Sequence, residues 1–342
     1  MKMKKAFIGL AVAALAFSAC SKTATSGLND ASKRYFDAWM KVNHPDLVPT
    51  ELGSYVLSET EGTGNLVGSY KDNTYLYVNY TSTDLDGDIT ATTSEKVSKQ
   101  LGSYVEGDYY GPTVWSRVGD GLSAGIDELV STMRVGGIKK AIVPGWLFTN
   151  DRYDTPEDYL NNVSGSDGIY EIEIVDAFND VVQWEIDSIG CYLSNNYPKI
   201  SLADSLKYGF YYSQTKAPTS EEEFATDTTI YINYIGRLLN GTVFDTNIKD
   251  TAKFYGLYDP DNTYGPTQIN WISTDEDYSD LTMTSDESSM IDGFAYCIFN
   301  MKAYEKGTCI FYSALGYSTS GSGNSIPSYS PLRFDIEIVD KE

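Results

Sequence analysis

Histidine and cysteine, which serve in catalytic triads and in many metal sites, are scarce in this chain of 342 residues. Its one histidine, His44, precedes a proline near the amino end, which strongly disfavours a histidine base, a catalytic triad or a multi-histidine metal site. Beyond Cys20 the cysteines are Cys191, Cys297 and Cys309, without CxxC spacing, and we expect all three to be buried thiols. The sequence therefore predicts no metal site and no cofactor.

Charge and composition exclude one class of partner and indicate the size of the fold. The chain has 25 basic and 48 acidic residues, a formal net charge of −23. Such a charge repels nucleic acid, so we predict no nucleic-acid partner. With 42% hydrophobic residues and 28 tyrosines, the chain can bury substantial cores, and its length suggests two domains.

The amino-terminal segment has the order of features expected of a secretory signal. MKMKKAFIGLAVAALAFSAC runs from lysines through an apolar stretch to small residues before Cys20. That stretch is shorter than the roughly 20 residues needed to span a bilayer. Residues 17–20 resemble a bacterial lipobox, which implies cleavage after residue 19 and a diacylglycerol on the Cys20 sulfur.

We therefore predict a signal peptide at residues 1–19 and a membrane attachment through the lipid on Cys20. Residues 20–46 would form a tether and a short helix. The protein would then be anchored in the bacterial envelope, at the outer membrane, facing the periplasm or the surface. The alternative is an ordinary cleaved signal with an accidental cysteine.

An internal repeat organises the rest of the chain. Two stretches share the order helix, strand, alternating strand, glycine turn, amphipathic helix and closing strand. Apolar residues at helical spacing predict the amphipathic helices at Leu122–Met133 and Ile291–Tyr304. The closing strands are nearly identical, YEIEIVD at 170–176 and FDIEIVD at 334–340. The same alignment places the acidic run 84–88 at a hairpin turn instead of a calcium loop.

The repeat predicts an α+β fold of two tandem units, each a bent antiparallel sheet of about five strands wrapped around one helix. The first unit would span 47–178 and the second 207–342, joined by a linker helix at 179–206. The second has an insertion at 255–289, with one strand at Thr267–Ile272, which we expect to overhang the segment around Met290.

The second unit resembles the FKBP-type isomerases over most of residues 207–340. YIGRLLNGTVFDT, the helix with its Gly293-Phe294 step, LGY and IPSYSPLRFDIEI occur in the order of that family. The resemblance implies two FKBP-like domains and a peptidyl-prolyl cis-trans isomerase that acts on proline-containing polypeptides. Its barrier of about 18–20 kcal/mol is amide resonance, so the reaction needs no nucleophile or cofactor. Apolar walls and a few fixed donors can lower that barrier.

The resemblance also assigns roles to individual residues of the second unit. Five take catalytic positions: Tyr234, Phe244, Asp245, Phe294 and Tyr317. Five take substrate-binding positions: Phe254, Met290, Ile291, Ile326 and Phe334. Tyr234 and Phe254 would be strand residues of the pocket wall, and Phe294 would form the floor, usually a tryptophan. For Phe244, Phe254 and Phe334, burial in the core is a competing explanation. A carboxylate and a phenol next to apolar pocket positions, at Asp245 and Tyr317, are costly to bury without partners, so their presence favours a site.

The first unit lacks most of these residues. It has Thr90-Ala91 at the Phe-Asp positions, Ile126 at the floor and Asp151–Gly168 in place of the flap, while Phe148 and Tyr170 correspond to Tyr317 and Phe334. We predict that activity lies in the second unit and that the first serves binding, spacing or dimerisation. The alternative for the whole chain is a noncatalytic lipoprotein that binds a peptide, glycan or protein. The sequence leaves the oligomeric state open.

Overall fold

The computed structural model describes residues 27–119, 121–225, 227–271, 278–283 and 290–341. Within these residues, the first unit contains four helices: α1 (Asp30–Asn43), α2 (Glu95–Leu101), α3 (Ala124–Ser131) and α4 (Pro156–Asn162). Its strands are β1 (Tyr55–Thr60), β2 (Tyr75–Thr83), β3 (Ile89–Thr92), β4 (Thr113–Ser116), β5 (Ile138–Val143) and β6 (Gly168–Phe178). A short 3₁₀ turn, Gly145–Leu147, follows β5.

The second part of the chain repeats this order after a longer helix. Its helices are α5 (Val181–Asn196), α6 (Lys249–Phe254) and α7 (Asp292–Phe299). Its strands are β7 (Phe210–Lys216), β8 (Thr228–Leu238), β9 (Val243–Thr246), β10 (Thr267–Trp271), β11 (Thr282–Met283), β12 (Lys306–Phe311) and β13 (Leu332–Val339). A 3₁₀ turn, Ser313–Leu315, follows β12.

The two sheets are antiparallel and share one topology. In the first, the strand order is β1-β5-β6-β2-β3, with β4 also paired to β2. In the second, it is β11-β10-β8-β13-β12-β7, with β9 also paired to β8. Strands β1, β5, β6 and β2 thus correspond to β7, β12, β13 and β8. The predicted α+β class is confirmed, and the two sheets repeat the predicted strand order; within the described residues they have six and seven strands instead of about five.

One helix of each unit packs into its core, as predicted, but both helices are shorter than the apolar pattern suggested. Helix α3 ends at Ser131 and α7 at Phe299. The next buried methionines, Met133 and Met301, donate their backbone N–H to the residue three positions earlier, so each chain segment leaves the helix through a tighter turn. The apolar pattern therefore includes buried residues that lie beyond the end of each helix.

Helix α5 packs on the second unit. Its Ile186, Ile189 and Leu193 form a separate cluster with Tyr211 and Ile310 of strands β7 and β12. All of these residues are buried, on the helix and on the strands. Helix α5 is therefore part of the packing of the second unit instead of a loose connector.

Two smaller expectations have different outcomes. The acidic run 84–88 forms the turn between β2 and β3, where Asp84 Oδ1 accepts the backbone N–H groups of Asp86 and Asp88. That hairpin is as predicted. Cys297 and Cys309 are buried and free, but Cys191 is exposed on α5, contrary to the expectation of three buried thiols. It lies on the face of α5 opposite the cluster with β7 and β12.

Candidate active site

Four aromatic side chains of the second unit, from β8, β9, α7 and β13, contact one another; we call them the aromatic cluster (Tyr234, Phe244, Phe294 and Phe334). The Phe294 ring lies 5.4 Å from that of Tyr234 and 4.8 Å from that of Phe334, measured between centroids. Phe244 meets Phe334 edge to face at 5.5 Å. These distances and angles are those of favourable aromatic pairs.

The local sequence explains how the rings approach one another. In the β8–β13 pairing, Phe334 lies opposite Gly236. A Cβ on Gly236 would be 2.6 Å from the Phe244 ring and 2.9 Å from that of Phe334, so only glycine leaves room for both. On α7, a Cβ on Gly293 would be 2.5 Å from the Phe311 ring. Glycine there lets the helix approach β12. The Phe294 ring, which is 3% exposed, then packs against the other rings of the aromatic cluster.

The carboxyl of Asp245 and the phenol of Tyr317 lie beside the aromatic cluster, near the phenol of Tyr234. The Tyr234 hydroxyl donates to Asp245 Oδ2 at 2.8 Å. Asp245 is exposed at the surface, yet the protein atoms on its inner side withdraw it from water and raise the pKa of its carboxyl. Burial, followed by the negative charge of Asp245, raises the pKa of Tyr317. Both phenols therefore stay protonated at neutral pH and can donate a hydrogen bond.

Tyr317 differs from Tyr234 in having a free hydroxyl. Among the described residues none hydrogen bonds with it, although the ring packs against the second core. Its position follows from the chain just after the Ser313–Leu315 turn, where Ser318 adopts φ +50°. Glycine adopts such a left-handed backbone most easily. With no acceptor among the described residues, the Tyr317 hydroxyl can donate to a ligand.

The start of α7 offers a second donor. Ile291 is the N-cap residue of this helix, with extended backbone, and it packs with Met290 against the second core. Its backbone N–H has no acceptor within the described part of the chain. The N-terminal end of a helix carries partial positive charge, which favours a carbonyl oxygen there.

The flap (Ser322–Tyr329) closes one side of this region. Ser322 and Ile326 exchange backbone hydrogen bonds of 2.8 and 3.1 Å, which makes a tight loop. Ile326 is 3% exposed and belongs to the same core as Phe294 and Phe334. The structure thus brings together nine of the ten residues assigned from sequence, all except Phe254.

Phe254 was wrongly placed. It is the last residue of helix α6, is 80% exposed and lies against Tyr255. The segment Lys249–Phe254 has the composition of a helix, with an acidic residue in its first turn, and its buried residue is Ala252. A phenylalanine at the end of so short a helix points into solvent, so it is no part of a pocket wall.

Two residues near the site were missed. The Phe311 ring stacks on Phe334 at 5.9 Å and supports it from β12. Tyr109, from the first unit, packs against the core of the second. The buried run at 309–311 could have indicated Phe311, but no pattern within one unit could indicate a contact made by the other.

The insertion is only partly described. Its strand β10 matches the predicted one to Trp271, and with β11 it extends the sheet beyond β8. The Trp271 ring stacks on Phe299 of α7 at 5.5 Å. The expected overhang falls largely on residues 272–277 and 284–289, which lie outside the described residues.

The equivalent place in the first unit has a different filling. Ile126 is the third residue of α3, as Phe294 is of α7, and Thr90-Ala91 lie on β3 as Phe244-Asp245 lie on β9. Instead of a flap, helix α4 follows, and its Tyr159 is 1% exposed in the core. The first unit therefore has a solid apolar interior at this place.

Metal and membrane features give two further findings. Within the described residues, no group of three or more histidine, cysteine, aspartate or glutamate side chains could hold a metal ion. Across the same residues, no helix has the length and apolar character needed to cross a bilayer. Cys20 lies outside the described residues.

Comparison with known proteins points to one family. The model of the FKBP-type peptidyl-prolyl cis-trans isomerase family matches residues 269–339. This matched segment makes up less than half of the chain. It holds Met290, Ile291, Phe294, Tyr317, Ile326 and Phe334. Tyr234 on β8 and the Phe-Asp pair on β9 precede this segment. Only their contacts with the aromatic cluster assign them to the candidate site.

Similar proteins include the macrophage infectivity potentiator of Trypanosoma cruzi, 24% identical over 137 residues, which cover 40% of this chain and 55% of that protein. The chain thus matches about half the length of this curated relative. Among solved structures, the three FKBP domains of wheat FKBP73 are 14% identical, with TM-score 0.29, covering 84% of this chain and 94% of that one. An isomerase from Pseudomonas syringae pv. tomato is 16% identical, with TM-score 0.29, covering 46% and 94%.

Proposed function

We propose that the protein is a peptidyl-prolyl cis-trans isomerase or folding helper whose active site is in the second unit. The observation that carries this proposal is the aromatic cluster with its neighbouring donors, within and beside the matched segment 269–339. Phe294 supplies an apolar floor and Phe334 a wall. The free Tyr317 hydroxyl and the Ile291 N–H supply two fixed donors.

This arrangement suits rotation about an X-Pro bond. The planar amide is stabilised by resonance, which the twisted amide loses. An apolar site favours the twisted form because its carbonyl and nitrogen carry less charge separation than the planar amide. Fixed donors position the peptide in the site and need no reorganisation during the rotation. The uncatalysed exchange takes tens to hundreds of seconds, which sets the background that the protein must exceed.

Changing Tyr317 to phenylalanine is expected to weaken substrate binding by about 0.5–1.5 kcal/mol, because one hydrogen bond to the substrate is lost. Stability should hardly change, since no described residue bonds to that hydroxyl. The measurement is a protease-coupled assay on Ala-X-Pro-Phe peptides with the full chain, which gives KM and kcat.

The matched control is Phe148→Leu, at the corresponding place in the first unit, where the ring lies 5.5 Å from Tyr170. Turnover should stay at the wild-type level in this variant. Equal losses in both variants would contradict the assignment of activity to the second unit. A folded wild-type chain without turnover would favour the noncatalytic binding protein instead.

We also propose that the protein is attached to the bacterial envelope through a lipid on Cys20. The support is the signal-like segment and the lipobox-like residues before that cysteine. Two or more acyl chains anchor a protein stably, whereas one chain binds marginally. The attachment places the isomerase among envelope polypeptides whose X-Pro bonds form its proposed substrates.

Cys20→Ala is expected to move the protein from the detergent phase to the aqueous phase, because it removes the sulfur that would carry the lipid. Phase separation of cell extracts, followed by immunoblotting, measures the distribution. Cys191→Ala, at an exposed cysteine, is the control and should partition as wild type does. Retention of the Cys20→Ala protein in the membrane would refute the lipid anchor.

A further inference from the structure

A loop of the first unit reaches the rim of the candidate site in the second; we call residues 103–112 the crossing loop. On one side it packs closely on the segment after α6. A Cβ on Gly107 would be 2.4 Å from Leu257 Cδ2, and a Cβ on Gly256 would be 2.7 Å from Glu106 Cγ. The two chain segments approach this closely because both positions are glycine, each with positive φ.

On its other side, the crossing loop holds the flap. The backbone N–H of Tyr109 donates to the carbonyl oxygen of Asn324 at 2.9 Å. Asn324 Nδ2 lies 3.4 Å from Asp108 Oδ2. The Tyr109 ring packs against the core that contains Ile326, and its hydroxyl donates to the Pro112 carbonyl at 2.8 Å. The ring is therefore fixed at both ends, in its own unit and in the other.

A second contact holds the far end of the flap. Tyr75 on β2 meets Tyr329 edge to face at 5.6 Å. Tyr329 adopts φ +57°, which costs a residue with a bulky side chain free energy and persists only where the surroundings hold it. Its N–H donates to Ser318 O at 2.8 Å, which ties this end of the flap to the Tyr317 segment.

The outer side of the flap borders a cleft of about 200 Å³. The cleft is lined by Tyr77 and Tyr109 of the first unit, by Trp184 and residues 238–240, and by Pro327 and Tyr329 of the flap. None of the side chains that line the cleft is charged. One side of the flap thus faces the candidate site, and the other side faces this cleft. The crossing loop and Tyr75 contact the flap from the first unit, in addition to the contacts of Ile326 with the second core.

We propose that the first unit is a built-in support for the flap of the second, with Tyr109 as the main positioning residue. It needs no catalytic side chains for this role, which agrees with its solid interior. The consequence for turnover rests on the proposed isomerase function, whereas the consequence for the flap does not. If the flap occupies its bound position only part of the time, apparent affinity falls by the same fraction.

Hydrogen–deuterium exchange of the full chain tests the support directly. In Tyr109→Ala, amides of residues 319–331 should exchange about three- to tenfold faster than in wild type, while the second sheet keeps its protection. Tyr109→Phe keeps the ring and should resemble wild type. Tyr35→Ala, at an exposed tyrosine of α1, controls for loss of any tyrosine in the first unit.

The isomerase assay on the same variants supplies a second readout. Tyr109→Ala should raise KM by about three- to tenfold with kcat changed less than twofold, because the flap affects binding more than rotation. Should Tyr109→Ala not fold, Tyr75→Ala decides, since it removes the other contact. Unchanged exchange of the flap in a folded Tyr109→Ala protein overturns the proposal. Absence of wild-type turnover overturns only the isomerase function, because the exchange result stands without it.

Discussion

Phe294→Ala is expected to lower isomerase turnover by at least about tenfold and the free energy of unfolding by about 3–5 kcal/mol. The ring is 3% exposed and contacts the rings of Tyr234 and Phe334, so its removal leaves a cavity at the floor of the site. Such a cavity loses both packing and the apolar surface on which the proline ring would lie. Urea unfolding and the protease-coupled assay measure the two effects separately.

Two companion variants separate chemistry from stability. Phe294→Leu keeps most of the apolar volume and should lose less stability while still lowering turnover, since the flat ring is gone. Ile126→Ala, at the same helix position in the first unit, should lose about 2–5 kcal/mol of stability with turnover almost intact in the folded fraction. A proportional loss of turnover in Ile126→Ala would show that the Phe294 effect is only structural.

Glu185→Gln is expected to remove a pH dependence of stability worth about 3 kcal/mol. Glu185 on α5 is 1% exposed, and burial raises the pKa of its carboxyl to about 7 from an ordinary 4.5. The folded state therefore binds the proton more tightly than the unfolded state. Stability from this group is full below about pH 4.5 and is lost as the pH rises through about 7.

The carboxyl accepts two hydrogen bonds from Ser313, 2.6 Å from the backbone N–H and 2.7 Å from the hydroxyl. Glutamine keeps the shape and can still accept one of them. Urea midpoints at pH 5 and pH 7.5 should diverge in wild type and converge in Glu185→Gln. Glu51→Gln, at an exposed carboxylate, should retain the wild-type divergence. Parallel midpoints in wild type and Glu185→Gln would contradict this account.

The sequence predicted the repeated fold well because its signals were local and doubled. Strands β6 and β13 have almost the same residues, and alternate apolar side chains fix which face is buried. Ile126 and Phe294 come at the same step of their helices because the apolar period of α3 and α7 starts at the same place. Such a pattern lies within the sequence of one helix or strand and does not depend on residues distant in the chain.

Predictions failed where the family pattern was followed against local helix propensity, and where the decisive contact joined the two units. Phe254 was assigned to a strand from its place in the family pattern, but a six-residue segment with lysine and alanine folds as helix α6. Tyr109 was not assigned at all, because its partner Asn324 lies 215 residues further along the chain in the other unit. Contacts between two copies of a fold produce no periodic pattern in the sequence of either copy.

Helix α5 determines where the chain can be divided. Ile189 and Leu193 cover Tyr211 and Ile310, and Glu185 bonds to Ser313 on the same surface. A polypeptide that began at Lys207 would leave this apolar face of β7 and β12 in contact with water and would aggregate through it. A fragment that keeps this apolar face covered would begin at Asp180, whose side chain caps the helix.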